Sequence, residues 1–519
     1  MLPRLITVAL VGLLTFGGAP PAARPLPAAV EGAIQQVTAA ELRQHVARLA
    51  SDELAGRGLG HAGNREAEQY IADALRSANV PPATPGYLQP VEVYQPALGP
   101  AGRLTVTGTG DPLADLKVGP DFQPLPVSGD RAVTGPLLFA GHGISAPALR
   151  HDDYAKIDAR GAIVLVLDDA PDALRRMPAL SGEAAIEIAT LNRKVADARK
   201  HGAAGLIVVR SYLGDVRSAF PDQPSVRSAS YKLFAPMQAA PLAVAALSEQ
   251  AAGRIRDALE KGQRLQVSLN PDVIARPYVM SNVLGVMEGR QDAQGIVVVG
   301  AHLDHDGIDE SGRIYNGADD NASGTAAVLA MAAAFARAAA QGSRPARAVV
   351  FALWNGEEKG SLGAEHFAGA PIPARRIIAN INLDMVGRRE EIPDPNDARY
   401  RGFPKTTTSQ SGNVVHLLGY SYSPDLARVV EQANETIRLT IKEDYDRDSQ
   451  GLLQRSDNWP FLQRGVPAIF LTTGLHPDYH TPDDDTDRID FAKLERITEL
   501  ASRVAWMTAD GGAPRFKAK

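Results

Sequence analysis

Beyond about residue 281 the chain carries apolar runs too dense to alternate. They are Asn282 to Val286, Ile296 to Gly300, Ala348 to Leu353, Ile377 to Leu383 and Ala468 to Leu471. Continuous runs of this kind predict strands buried on both faces. Between and after them lie helical stretches: Thr325 to Ala340, rich in alanine and other strong helix formers, and Phe491 to about Met507, apolar on one face. Strand–helix alternation predicts an α/β fold, a mostly parallel mixed sheet with helices on both faces. The polar stretch 389–412, with Pro393, Pro395 and Pro404, reads as a long surface loop.

The first half is patterned differently. Thr38-Ala39-Ala40-Glu41 is a capping pattern that starts a helix running to about Leu49. Leu54-Ala55-Gly56-Arg57-Gly58 reads as a loop. From Asn64 to Ala78, apolar Ala67, Tyr70, Ile71, Ala74 and Leu75 share one helical face, and Pro81-Pro82 ends it. Residues 85–130 read as short strands between Pro/Gly turns. Residues 133–273 form a further module, with strands at Leu137 to Ala140, Ile163 to Leu167 and Gly205 to Val209 and a helix from Asn192 to His201. At the start, Arg4 precedes the apolar run Leu5 to Phe16, and small residues follow through Ala22-Ala23. This predicts a signal peptide over 1–23; the run is short for a membrane anchor. The expected segments are therefore 1–23, 24–132, 133–273 and 274–519.

With 519 residues the chain exceeds one ordinary core. A net charge of -6 gives no ground for nucleic-acid binding. The absence of cysteine excludes disulfides, thiolate catalysis and thiolate metal sites, so any metal must be held by histidine and carboxylates. It also removes a lipoprotein attachment site, so a secreted or periplasmic protein is expected, with no stable membrane insertion once the signal is removed.

The chemistry gathers at strand ends. His302 and Asp304 follow the first long run, Glu357 and Glu358 the next, Asp384 the one after, and Tyr479-His480 lies beyond the last. Gly317-Ala318-Asp319-Asp320 precedes the alanine-rich helix. Active sites of open α/β sheets lie at the carboxyl ends of strands. Each residue alone has a plain structural reading. Asp319 suits a helix N-terminus, Glu357 and Glu358 a solvated pair, His480 a polar loop. Several acids directly after buried strands are better explained together, because burying unpaired charge is costly and cations remove the cost. His305, His366, His416 and His476 fit no such block, and His142, His151 and His201 read as structural or exposed. Asp320 and Asp483 to Asp485 read as caps and supporting groups.

Five blocks, Ala301-His302-Leu303-Asp304, Gly317-Ala318-Asp319-Asp320, Glu357-Glu358, Leu383-Asp384-Met385 and Tyr479-His480-Thr481-Pro482, resemble in order those of the secreted zinc aminopeptidases. Their superfamily includes glutamate carboxypeptidase, glutaminyl cyclase and the transferrin receptor. Gly161-Ala162-Ile163-Val164-Leu165-Val166 and His201-Gly202-Ala203-Ala204-Gly205 resemble an inserted protease-associated domain. The resemblance implies two zinc ions: one on His302 and Asp384, the other on Glu358 and His480, with Asp319 bridging them. It implies a shared water acidified by the metals, Glu357 as general base, Asp304 as the partner of the other His302 nitrogen, and Tyr479 as an oxyanion donor. It implies peptide substrates cut at their N-terminus. A carboxypeptidase, for which Arg388, Arg389 and Arg455 are candidate carboxylate binders, a glutaminyl cyclase or a receptor-like binding protein are the alternatives. Ser456-Asp457-Asn458 departs from the Ser-Asp-His of many relatives. Oligomeric state, preferred residue and choice among divalent metals are open in the sequence.

Overall fold

Two sheets organise the chain. The computed structural model describes residues 25–518 except 109–111, 176–189, 215–219, 221–226, 228–230, 234–241, 291–294, 373–374, 398 and 449. The expected signal segment lies outside the described residues.

The larger sheet has nine strands, in the order Lys232–Leu233, Leu88–Leu98, Val273–Met287, Ala348–Trp354, Ile296–His302, Ile377–Leu383, Ala468–Thr472, Val414–Leu418, Thr440–Lys442. The central strands 348–354, 296–302, 377–383 and 468–472 run parallel, as the apolar runs require. The ladders that flank this centre are antiparallel, apart from the outermost pair at 414–418 and 440–442. The sheet is therefore mixed, with a parallel core.

Within the strand Ile296–His302 successive side chains point to opposite faces. Val297, Val299 and Ala301 join a core with the helices Ala39–Leu49, Ala62–Ser77, Gly324–Ala340, Pro424–Ile437 and Phe491–Asp510. Ile296 and Val298 face the other way, towards Trp354, Phe367 and Phe461. Each such fully buried Val or Leu contributes about 1.5–3 kcal/mol. The segment Ala318–Ala340 is long and apolar enough to cross a membrane, yet it is buried inside this core.

The strand Leu88–Leu98 is one 11-residue element, where Pro90 and Pro96 had suggested short pieces. Among the described residues its outer neighbour pairs at Val93 and Tyr94, clear of both prolines, as an edge ladder that lacks their donors requires. Thr38 caps its helix as expected, its hydroxyl accepting from Glu41 N at 3.2 Å.

The second sheet has eight strands, from Arg103–Thr107 through Gln266–Asn270, and buries its own apolar residues in two clusters. It begins upstream of the expected boundary at 133, because Arg103–Thr107 and Phe122–Pro124 are too short to carry an apolar run. The chain leaves and re-enters the larger sheet side by side, where Leu98 pairs with Val273 and Gly99 N donates to Asp272 O at 2.7 Å, and in between it returns once to that sheet at Lys232–Leu233.

Candidate metal centre

Parallel strands ending side by side bring their following residues together. His302 ends one strand, Glu357 and Glu358 follow its neighbour, and Asp384 follows the strand on the other side. His480 arrives on the loop beyond Ala468–Thr472.

Two donor sets result, and they share Asp320. His302 Nε2 lies 3.2 Å from Asp320 Oδ1 and 3.3 Å from Asp384 Oδ1. On the other side, His480 Nε2 lies 3.0 Å from Asp320 Oδ2 and 3.4 Å from Glu358 Oε2. The carboxylate shared by both sets is therefore that of Asp320, where the sequence resemblance points to Asp319. The Asp319 carboxylate turns away: Oδ1 accepts from Gly387 N at 2.6 Å, and Oδ2 sits 3.2 Å from His476 Nε2. Adjacent acids in a non-helical turn point in different directions, and the spacing that places a cap cannot choose between them. Asp484 fixes the choice by accepting from the backbone N–H groups of both Asp319 and Asp320. Gly317, with φ +59, permits this turn, since a Cβ there would meet the His305 ring and Asp320 O.

Asp304 is fully buried. The His302 Nδ1 partner is the Asp304 backbone carbonyl at 3.1 Å, while the carboxylate lies 3.8 Å away. A carbonyl only accepts, so Nδ1 carries the proton and Nε2 keeps a lone pair for a metal. The Asp304 carboxylate instead accepts from Glu357 N at 3.0 Å and Glu358 N at 3.3 Å, which fixes the turn that aims the two glutamates apart. Tyr479 faces the same pocket, and its Oη takes a hydrogen bond from Arg455 Nη2 at 3.1 Å.

Some contributing groups carried no readable signal. Ser456 Oγ donates to Asp384 Oδ2 at 2.6 Å. His305 Nδ1 is 2.8 Å from Glu358 Oε1, and Asp306 Oδ2 is 3.2 Å from His480 Nδ1. His305 and Asp306 immediately follow the His302–Asp304 block, and that adjacency was the one available clue. His476 pairs with Asp319 and His416 with Glu390, away from the shared donors.

The electrostatics describe a place for cations. Burial opposes protonation of His480, yet Glu358 and Asp320 lift it to about 10. Burial alone would raise the Glu358 carboxyl, but His480 and His305 bring it down to about 2. Burial holds the Glu357 carboxyl well above its usual range; His302 opposes this, and Asp457 and Glu358 reinforce it. The clustered carboxylates thus call for positive charge at their centre.

Zinc fits the same donors. Ligands at about 2.0–2.2 Å in a tetrahedron stand roughly 3.3 Å apart, close to the separations on both sides of Asp320. His302 Nε2 and Asp384 Oδ1 are buried without a hydrogen bond, as atoms reserved for a metal are. The pocket beside them is polar at Asp320, Glu357, Asp384 and His480, and apolar at Met385, Leu452, Phe470 and Leu475.

The chain is similar to known proteins over part of its length. A "Probable zinc metalloprotease" of Pyrenophora tritici-repentis is 28% identical over 264 residues, 46% of this chain and 58% of that protein. An "Aminopeptidase" of Pseudomonas aeruginosa is 35% identical over 127 residues, 24% of this chain and 21% of that protein. The chain thus spans little more than half of the first relative and about a fifth of the second. The solved aminopeptidase from Aneurinibacillus sp. strain AM-1 superposes with a TM-score of 0.53 at 17% identity, covering 94% of this chain and 97% of that one, which establishes a shared fold. Residues 282–505, the stretch that holds every donor above, match the model of Peptidase family M28.

Proposed function

We propose that the chain is a zinc-dependent aminopeptidase with a two-metal centre. The observation that carries this reading is the pair of donor sets sharing Asp320, with Glu357 beside them in an open pocket. His302 and Asp384 would hold one zinc and Glu358 and His480 the other, with Asp320 shared between the two donor sets. Bound zinc supplies Lewis acidity, which polarises the scissile carbonyl and makes water acidic near neutrality. Glu357 takes a proton from the attacking water and delivers it to the leaving amine. Its raised affinity for protons suits the second role, and the nearby cations favour the ionised form needed for the first. Asp304 keeps Glu357 aimed by holding its backbone N–H. Tyr479, tethered by Arg455, is placed to donate to a developing oxyanion. Met385, Leu452, Phe470 and Leu475 favour an apolar side chain at the cleaved residue. We read the second sheet as the protease-associated module suggested by the sequence.

A free N-terminus is favoured over a free C-terminus because two of the three candidate arginines are engaged. Arg388 is paired with Asp478 at 2.7 Å and Arg389 with Asp490 at 2.7 Å. Arg455 alone faces the pocket. The test compares unblocked aminoacyl anilides with N-blocked peptides bearing a free carboxylate, before and after chelation. Turnover of the unblocked substrates alone, lost on chelation and restored by zinc, is expected. Turnover of the N-blocked peptides alone would establish the carboxypeptidase reading in its place.

A further inference from the structure

The loop Leu54 to Gly58 lies far upstream of the matched residues 282–505, yet it reaches their centre. Arg57 is fully buried, and its guanidinium meets no carboxylate within ion-pair distance among the described residues. It is satisfied by carbonyls instead. Nε donates to Leu303 O at 2.8 Å, Nη1 to Leu49 O at 2.5 Å and Asn316 O at 2.6 Å, and Nη2 to Gly317 O at 2.9 Å. Leu303 sits between His302 and Asp304. Asn316 and Gly317 begin the turn that presents Asp320. One rigid planar fork therefore spans the two loops that supply the first histidine and the shared carboxylate.

Its neighbours extend the same contact. Gly56, with φ +64, lets the backbone press against Tyr315 O and Gly307 O, where a Cβ would clash. Gly58 makes a parallel bridge with His305. Asn64 Nδ2 donates to Arg57 O at 2.8 Å and to Asn355 Oδ1 at 3.0 Å, just before Glu357. A buried cation is costly unless its donors are all used. A hydrophobic side chain would fill this space but would leave carbonyls of both loops unpaired.

We propose that Arg57 is a positioning residue of the metal centre: it touches neither metal nor substrate, but fixes the separation of the His302 and Asp320 loops and so sets zinc affinity and turnover. The inference rests on the zinc reading above. It also means that residues 282–505 do not hold a complete centre without the upstream segment.

The experiment uses the full chain with Arg57→Lys, Arg57→Met and, as a control, Leu75→Ala, a core position of the following helix that lies beside Gly285. Zinc affinity by chelator competition, kcat and KM, and the visible spectrum of the cobalt-substituted protein are measured for each. Arg57→Met is expected to bind zinc roughly 10–100-fold more weakly, as loss of an outer-sphere partner does. Its kcat falls at least about tenfold with KM little changed, as for an interaction felt in the transition state. Arg57→Lys keeps the charge, reaches fewer carbonyls, and falls between parent and Arg57→Met. Leu75→Ala loses thermal stability but keeps the parent's zinc affinity and spectrum. Should Arg57→Met not fold, Arg57→Lys against Leu75→Ala decides. Parental zinc affinity and kcat in Arg57→Lys would overturn the proposal. So would equal loss of zinc affinity in Leu75→Ala and an Arg57 variant of matched thermal stability. A parent that takes up no zinc fails the metal reading first, and this inference with it.

Discussion

At the scale of single residues, neighbouring acids carry different work. Glu357 and Glu358 leave one turn held by Asp304, and Asp319 and Asp320 leave another held by Asp484. Three substitutions separate the roles. Glu357→Gln should keep its metals and lose activity by about 10²–10⁴-fold, the range for a lost general acid–base group. Asp320→Asn should lose metal together with turnover. Asp319→Asn should keep its metals and lose about 1–3 kcal/mol of stability, since a buried acceptor for Gly387 N and a partner of His476 is weakened. Zinc content, turnover and urea unfolding of the three variants, measured together, check the assignment. Metal loss in Asp319→Asn with retention in Asp320→Asn would restore the bridge to Asp319. The blocks around these residues were legible because ligand types recur at strand ends. Which of two adjacent carboxylates faces the centre was not, because that depends on a turn set by Asp484, some 165 positions away.

At the scale of elements, the helix Ala62–Ser77 shows how a periodic pattern hides a polar contact. Its apolar face was readable from Ala67, Ile71 and Leu75, and these are buried as the period requires. Glu68 lies at the edge of that face and is also buried, accepting from Ser281 N at 2.7 Å and Asn355 Nδ2 at 2.8 Å. Nothing local in the sequence marks it, since both partners lie more than two hundred residues on. Burial raises its carboxyl from 4.5 to about 7, against the pull of those two hydrogen bonds. The folded value is above the unfolded one, so the protein binds the extra proton when folded. The contribution is fully present below about pH 4.5 and is lost as pH rises through about 7. The gap corresponds to about 3 kcal/mol. Glu68→Gln cannot titrate, so the parent's stability relative to this variant should fall by up to that amount between pH 4.5 and 8. Urea unfolding of both metal-loaded proteins across this range tests it, and an identical pH slope in the two would refute it.

At the scale of the whole molecule, the parallel core was legible because its strands are buried on both faces and read as unbroken apolar runs. The antiparallel flank Leu88–Leu98 and the true start of the second sheet were not, because proline and short alternating strands look like turns. The second sheet is spliced into the first where Leu98 pairs with Val273, so its two ends lie side by side. The inserted chain outside the second sheet also reaches back, with Lys232–Leu233 as an edge strand of the larger sheet and Arg227 just before it. Arg227 donates from Nε to Asp306 Oδ2 at 2.7 Å, its ring neighbour is Tyr315 at 4.5 Å, and Lys359 Nζ donates to Arg227 O at 2.8 Å. These contacts lie at the rim of the centre, on the side of His480, and no group of the second sheet itself belongs to either donor set. Replacing residues 100–271 by a short turn between Gly99 and Asp272 should therefore leave a hairpin that continues the existing ladder. The zinc content should persist, because every donor is downstream of the excision and Arg57 with its partners Leu49, Leu303, Asn316 and Gly317 lies outside it. What should change is the size of substrate accepted, since the rim above His480 is opened. Zinc content and relative rates on aminoacyl anilides and on peptides of increasing length give the comparison. A folded excision variant that has lost its zinc would show that the insert is part of the centre, and unchanged length preference would show that it does not wall the cleft.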